Sequence, residues 1–392
     1  MEESDITPIG ITNYRNSNQK FGIKDKDRLQ HIYVVGKSGT GKSTLLRNML
    51  LSDIQRGNGC CLLDPHSDVA TEVLKYIPEH RKEDLVYFNP KDLANPVAFN
   101  PLKAVHPNYH HLVASGIIAS LKKLWFESWG PRMEHILRFT LLTLLCVPDA
   151  TLLDIQPLLT DEEYRRNALR YVMDKHILAF WKNEFANYTK TLKAEAVAPI
   201  LNKVGLFAAS LPLRNTIGQK TRGFRMQEVM DKKKILICNL SKGELGEDAS
   251  ALLGCIILTS IQLAALYRAR LQPHERTPFY VYVDEMHSFL TLSFADMLAE
   301  ARKYGIGLFL THQYIEQLDE RIRKAIFGNV GTIISFRVGA KDAEYMAKEF
   351  CPVFTEEDLV NLPRYAMFIK LMIDGTASGV FSAKTTFPDN ML

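Results

Sequence analysis

The sequence predicts an α/β fold: a mostly parallel sheet, helices on both faces and an all-helical insertion. Apolar, β-rich runs alternate with helix-patterned segments at both ends of the chain, as expected for strands buried on both faces. Strand patterns vanish between about residues 103 and 230, where helical spacing takes over. The length, 392 residues, suffices for one large domain or two ordinary ones.

Taken in order, some thirty mostly polar residues precede the first expected strand, HIYVVG (31–36). A Gly-rich turn and the helical KSTLLRNMLLSDIQRG follow, then the buried strands GCCLLD (59–64) and LVYFN (85–89). YHHLVASGIIASLKKLW, MEHILRFTLLTLLCV, the segment from Thr160 to Thr189 and KAEAVAPILNKVGLFAAS all carry helical spacing. The alternating pattern returns with KILICNL (234–240), a long apolar helix and FYVYVDE (279–285). A helix through about 303, IGLFLTHQ (306–313), a helix near 319–327, GTIISFRVG (331–339) and the helix KDAEYMAKEF come next. YAMFIKLMI and SGVFSAKT close the chain as a hairpin about Asp374–Gly375. The expected division is an N-terminal half-core (1–102), a helical insertion (103–230) and a C-terminal half-core (231–392).

Composition removes several classes. With 46% hydrophobic and 23% charged residues the chain is globular rather than disordered. A net charge of +4 permits a nucleic-acid partner without demanding one. The six cysteines show no C-x-x-C spacing, and several sit in apolar runs, so reduced, buried thiols and a cytoplasmic setting are expected. MEESDITPIG is too acidic and polar for a leader peptide. ASALLGCIILTSIQLAALY (249–267) is long enough to span a membrane, but Ser250, Thr259, Ser260 and Gln262 and the strand run upstream favour a helix buried in a soluble core, so no intrinsic membrane span is expected. His110 and His111 are adjacent and cannot share a helix face, and no structural zinc is expected. Core packing accounts for Tyr33, although it and FGIKDKDR could also flank a base.

GKSGTGKS (36–43) matches G-x-x-x-x-G-K-[ST] in full, after a strand and at the start of a helix, the context that makes the match specific. Gly36, Gly39 and Gly41 let the backbone turn inward, so that N–H groups from Ser38 to Thr44, Thr40 included, can cradle phosphate. Lys42 would reach the β- and γ-phosphates and Ser43 would ligate Mg²⁺. FYVYVDEMH places Asp284 and Glu285 at the carboxyl end of a strand, where ligands bind in open α/β sheets. Asp284 is expected in the Mg²⁺ shell and Glu285 as the group that polarises the attacking water. LNKVG (201–205) lacks the Asp of a guanine-reading N-K-x-D, so ATP is expected rather than GTP.

If IGLFLTHQ runs parallel to the Asp-Glu strand, Gln313 emerges beside the γ-phosphate and can sense it and the water. Arg302 precedes the other end, about 23 Å away at ~3.3 Å per residue. It could serve a neighbouring subunit's nucleotide in trans. A solvated cation closing a helix would also explain it, and spacing alone favours that bland explanation.

Together GKSGTGKST, LLDPHSD (62–68), VYVDEMHSF and ARKYGIGLFLTHQ resemble the HerA/FtsK superfamily of ring-forming motor ATPases. Within it they most resemble the TraG/TrwB-type coupling proteins of conjugation and type IV secretion. FGIKDKDRLQHIYVVG, FNPL (99–102) and WGPRMEHILR (129–138) add to the likeness, which covers most of the chain and fits the insertion only loosely. The resemblance implies a P-loop NTPase of the RecA-like, additional-strand class. It implies a homohexamer with ATP between subunits, Gln313 as γ-phosphate sensor and Arg302 as trans arginine finger. Asp64 also matches a family position. Coupling proteins usually carry N-terminal membrane helices; here the polar N-terminal stretch argues for at most a peripheral place at the inner membrane face, through partners. Neither a HerA-type N-terminal barrel nor an FtsK-type C-terminal winged helix is evident.

Arg337 would be a second interface arginine or an ordinary ion pair. Residues 214–234 hold seven Lys/Arg against two acids; Lys220, Arg222 and Arg225 there would line a channel and meet DNA phosphates without sequence preference, or form a solvated face. The functional expectation is an ATP-hydrolysing DNA translocase. The alternatives are a type IV secretion motor acting on protein substrates, a HerA-like helicase in DNA processing or defence, and a non-catalytic nucleotide-gated module. Relaxase-type or secretion proteins would be its protein partners.

Overall fold

The computed structural model describes residues 5–13, 17–103, 105–220 and 223–386. The chain forms two compact units, one comprising the segment up to Phe88, Met226–Ser241 and everything from Ala264 on, the other Asn89–Arg225 with Lys242–Leu263.

The first unit is built on a large sheet. Its strands are β1 (Ile6–Thr12), β2 (Lys20–Lys24), β3 (Ile32–Val35), β4 (Gly59–Asp64), β5 (Leu85–Phe88), β6 (Ile235–Asn239) and β7 (Phe279–Val283). They continue with β8 (Ile306–His312), β9 (Thr332–Ser335), β10 (Ala366–Lys370), β11 (Met372–Ile373), β12 (Thr376–Ala377) and β13 (Phe381–Thr385). Eleven of them pair in the order β2-β1-β13-β10-β9-β3-β8-β7-β4-β6-β5, and β11 and β12 pair separately about Asp374–Gly375. From β9 to β5 neighbours are parallel; from β9 through β10, β13 and β1 to β2 they are antiparallel. β3, β4, β6, β7, β8 and β9 are buried along their whole length, which is why they read as continuous apolar runs. The expected mostly parallel P-loop sheet is therefore the observed one.

β1 and β2 correct the sequence reading, which placed only polar residues before the first strand. They form the sheet's antiparallel edge, where one face is enough: Ile9 and Ile23 are each 1% exposed, while Ile6, Pro8 and Lys20 of the same two strands are exposed.

A buried ion pair ties the N-terminal segment to the sheet. Arg28 Nη1 and Nη2 donate to Asp53 Oδ1 and Oδ2, each at 2.7 Å, at the far end of the helix that follows β3. Arg28 also donates to the Tyr282 hydroxyl at 2.8 Å, and its guanidinium lies 3.6 Å from the centre of the Tyr280 ring. Removing one member leaves the other charge buried and unpaired, so Arg28→Ala is expected to lose ~3–5 kcal/mol of stability. A urea-unfolding midpoint equal to wild type would show the pair to be energetically idle.

Between β5 and β6 there is no strand among the described residues, as the loss of strand pattern predicts. The second unit packs the helices His110–Leu124, Pro131–Leu144 and Lys190–Ala209 with shorter ones. Phe139 and Phe180 stack at 4.4 Å in it, and the Trp181 indole donates to Thr143 Oγ1 at 2.8 Å. This unit's extent differs from the expected insertion, 103–230. Asn89 onward already belongs to it, and so does the long apolar helix Glu247–Tyr267 as far as Leu263. Lys91 pairs with Glu244 at 2.5 Å within the unit. Helical spacing shows where a helix lies, not which unit it joins. By length and composition Glu247–Arg270 could cross a membrane; 78% of its most apolar window is buried inside the protein.

Candidate functional site

The phosphate-loop residues lie between β3 and the helix Lys42–Gln55. Gly39 and Gly41 take φ of +72° and +129°, which side chains disfavour. A Cβ on Gly39 would meet nothing within 4 Å, so the loop is open on that side. The loop is fastened from behind: Gly36 N donates to His312 O at 3.2 Å, Lys37 N to Arg337 O at 2.8 Å, and Thr40 Oγ1 to Lys37 O at 2.7 Å. Lys42 folds back over the loop, its Nζ 2.6 Å from Gly36 O and 3.1 Å from Lys37 O. Burial pulls the Lys42 amine below its ordinary pKa, and Glu285 and Asp284 oppose that pull.

β7 ends at the acid pair. Asp284 and Glu285 are 4% and 5% exposed. β8 lies parallel to β7, with Val283 opposite Leu310, so the next residues of both strands meet at one edge. Thr311 Oγ1 donates to Asp284 Oδ1, and Glu285 N donates to Thr311 Oγ1 at 3.1 Å. Gln313 Nε2 donates to Glu285 Oε1 at 2.7 Å, and His287 Nδ1 lies 3.5 Å from Glu285 Oε2. Burial raises the Asp284 pKa, and the Thr311 hydrogen bond works against it. Glu285 itself has φ +45°, ψ +57°, a left-handed backbone that costs ~1–3 kcal/mol and is held by its surroundings.

These groups line one cleft of about 440 Å³. Ser38, Gly39, Gly41, Lys42, Ser43 and Thr44 form one wall, and Asp284, Glu285 and Gln313 face it. Gly36 and Thr40 sit buried behind the loop. Asp64 lines the cleft as well, but its oxygens accept from the backbone N–H groups of His66, Ser67 and Ala70 at 2.8–3.0 Å. It therefore anchors the turn that leads into the helix Asp68–Val73. Thr311, His287, Arg364 and Tyr365 were not singled out from the sequence. Thr311 stands in the quoted run THQ and could have been found from the parallel register of β7 and β8; Arg364 and Tyr365 carry no motif.

Arg302 is not part of this cleft. It is exposed in the turn Ala301–Tyr304 that precedes β8, while Gln313 follows the other end of β8. Arg337 lies just past β9 and is exposed, in no ion pair among the described residues. The basic run 214–234 divides between the units after Arg225. Lys220 and Arg225 are exposed in the helical unit, and Arg222 lies outside the described residues.

Fold and loop together define a P-loop NTPase. The family model for the type IV secretion-system coupling protein DNA-binding domain matches residues 20–362, and the chain belongs to that family. This agrees with the resemblance to TraG/TrwB-type proteins drawn from the motifs. Among solved structures, the bacterial conjugative coupling protein TrwBdeltaN70 is similar at a TM-score of 0.70 and 15% identity, over 93% of this chain and 87% of that one. Plasmid coupling protein TrwB with the non-hydrolysable ATP analogue ADPNP is similar at a TM-score of 0.69 and 16% identity, over 93% and 86%. VirB4 of Thermoanaerobacter pseudethanolicus is similar at a TM-score of 0.68 and 15% identity, over 100% of both chains. At these identities the likeness is one of fold. No curated protein matches the chain in sequence.

Proposed function

We propose that the protein is an ATP-hydrolysing, ring-forming DNA motor with ATP bound between subunits of a homohexamer. The observation that carries this reading is the single cleft in which the phosphate loop faces Asp284, Glu285 and Gln313. TrwB, which shares the fold, has been solved with ADPNP and with ADP and Mg²⁺.

The residues present fit both groups. The loop is open at Gly39, where a Cβ would otherwise project, and Lys42 stands over it. Both hydrogen bonds to Asp284 fall on Oδ1, and Oδ2 takes none among the described residues. No cluster of three or more His, Cys, Asp or Glu ligands exists among the described residues. Ser43 and Asp284 would instead offer one or two hard oxygens, the usual protein share of a Mg²⁺ site completed by phosphate and water. When bound, Mg²⁺ neutralises phosphate charge.

The chain's own residues would do the rest. Lys42 turns from the loop carbonyls to the β- and γ-phosphates. Glu285 polarises the attacking water, and Gln313 holds its carboxylate and reports the γ-phosphate. Arg302, too far along β8 to reach its own cleft, supplies the neighbour's site. The family's DNA-binding character supports DNA as the substrate moved, and the exposed Lys220 and Arg225 would contact its phosphates. DNA binding is expected to fall steeply with salt and to show little sequence preference. Neutralising Lys220, Arg222 and Arg225 together should reduce the salt slope by about 1 per lost phosphate contact. An unchanged slope in a correctly assembled protein would return that run to a solvated face. A protein-secretion motor is the second reading, and DNA dependence separates the two.

A further inference from the structure

We infer that Arg364 binds the phosphates of the nucleotide held by its own subunit, as the outer cationic wall of the cleft. The inference rests on the reading of that cleft as a nucleotide site. Arg364 is separated from the phosphate loop by more than three hundred residues, yet its Nε donates to Gly39 O at 3.0 Å. One face of its guanidinium covers the Tyr365 ring, 4.7 Å from the centre. The side chain is thus fixed at two points, while Nη1 and Nη2 make no hydrogen bond to the protein among the described residues. An arginine held this way presents a fork suited to phosphate oxygens.

The backbone aims it. Tyr365 has φ +66°, a left-handed turn just before β10. Tyr365 N donates to Thr40 O at 2.8 Å, and Tyr365 O accepts from Thr385 N at 3.0 Å, so the turn is pinned to the phosphate loop on one side and to β13 on the other. Charge gives the reason such a residue is needed. Asp64, Asp68, Asp284 and Glu285 line the cleft, against Lys42 and Arg364 as its only lysine or arginine side chains among the described residues. A polyphosphate entering there meets several carboxylates, and Lys42 alone leaves the loop's outer side without a cation.

The test measures equilibrium binding of ADP and of inorganic tripolyphosphate, both with Mg²⁺, to the full chain. Arg364 is exposed, so Arg364→Ala should fold, and an unchanged thermal melt checks this. Arg364→Ala is expected to weaken both ligands by ~10–100-fold, the range for losing hydrogen bonds to a charged group. Arg364→Lys, which keeps charge but loses the fork and the Gly39 anchor, should recover only part of the loss. Weaker ADP with unchanged tripolyphosphate would place Arg364 at the nucleoside end and overturn the inference, as would two unchanged affinities. Lys42→Ala serves as the reference. If it too leaves both affinities at wild-type values, the nucleotide reading of the cleft has failed, not only the role of Arg364.

Discussion

Arg302→Ala is expected to fold, bind ATP and lose hydrolysis by ~10³–10⁵-fold, about 4–7 kcal/mol of transition-state stabilisation. An exposed arginine serving only as a surface ion pair would contribute ~0–1 kcal/mol, and to stability rather than turnover. The two explanations thus differ in size and in where the effect appears. The turn that bears Arg302 does not depend on its side chain. Arg276 Nη1 donates to Lys303 O at 2.6 Å and Arg268 Nη1 to Tyr304 O at 3.2 Å, so the substitution removes a guanidinium from a braced backbone. Mixing Arg302→Ala with Lys42→Ala subunits should restore some activity, because at one kind of mixed interface an intact loop meets an intact arginine. A cis-acting arginine gives no rescue, since every subunit then carries a broken site. Mixing ratios should be varied, because hydrolysis passing in sequence around a ring would conceal isolated good interfaces. Inactivity at every ratio, with mixed rings shown to form, would count against trans action. Full activity of Arg302→Ala alone would refute it.

Glu285→Gln should bind ATP as wild type does and turn it over ~10²–10⁴-fold more slowly, the usual contribution of a positioned base. The substitution is close to isosteric. A glutamine oxygen can still accept from Gln313 Nε2, the contact made at 2.7 Å in the native site. Thr311 Oγ1 still receives the backbone N–H of residue 285. Geometry is kept and basicity is lost, so the effect should fall on the catalytic rate and spare nucleotide affinity. Wild-type turnover would exclude Glu285 as the group that activates water.

The parallel strands were legible because burial on both faces writes continuous apolar runs, as in GCCLLD and IGLFLTH. The strands β1 and β2 were not, because they mix buried Ile9 and Ile23 with a buried Thr7 and exposed Ile6, Pro8 and Lys20, a pattern that is neither a continuous apolar run nor a clean alternation. In the cleft, Lys42, Ser43, Asp284 and Glu285 are fixed by local spacing next to a strand, and Gln313 follows once β7 and β8 are known to be parallel. Arg364 could not be found this way. Its place depends on the left-handed turn at Tyr365 and on a hydrogen bond to a loop near the other end of the chain. The Arg28–Asp53 pair is hidden for a similar reason: charged residues in sequence suggest surface, and only the fold shows both to be buried. The division of the apolar helix at Leu263 depends on packing partners that periodicity does not encode.

The most direct measurement is the steady-state ATPase rate of the full chain, with Mg²⁺, as DNA of unrelated sequences is added at low and moderate salt. The proposed motor predicts hydrolysis that rises with DNA, is indifferent to its sequence, loses the stimulation as salt increases, and falls ~10²–10⁴-fold in Glu285→Gln. Hydrolysis that DNA leaves unchanged would contradict a DNA motor and favour protein substrates. The absence of any hydrolysis from protein that binds ATP and assembles would contradict the catalytic reading of the cleft altogether.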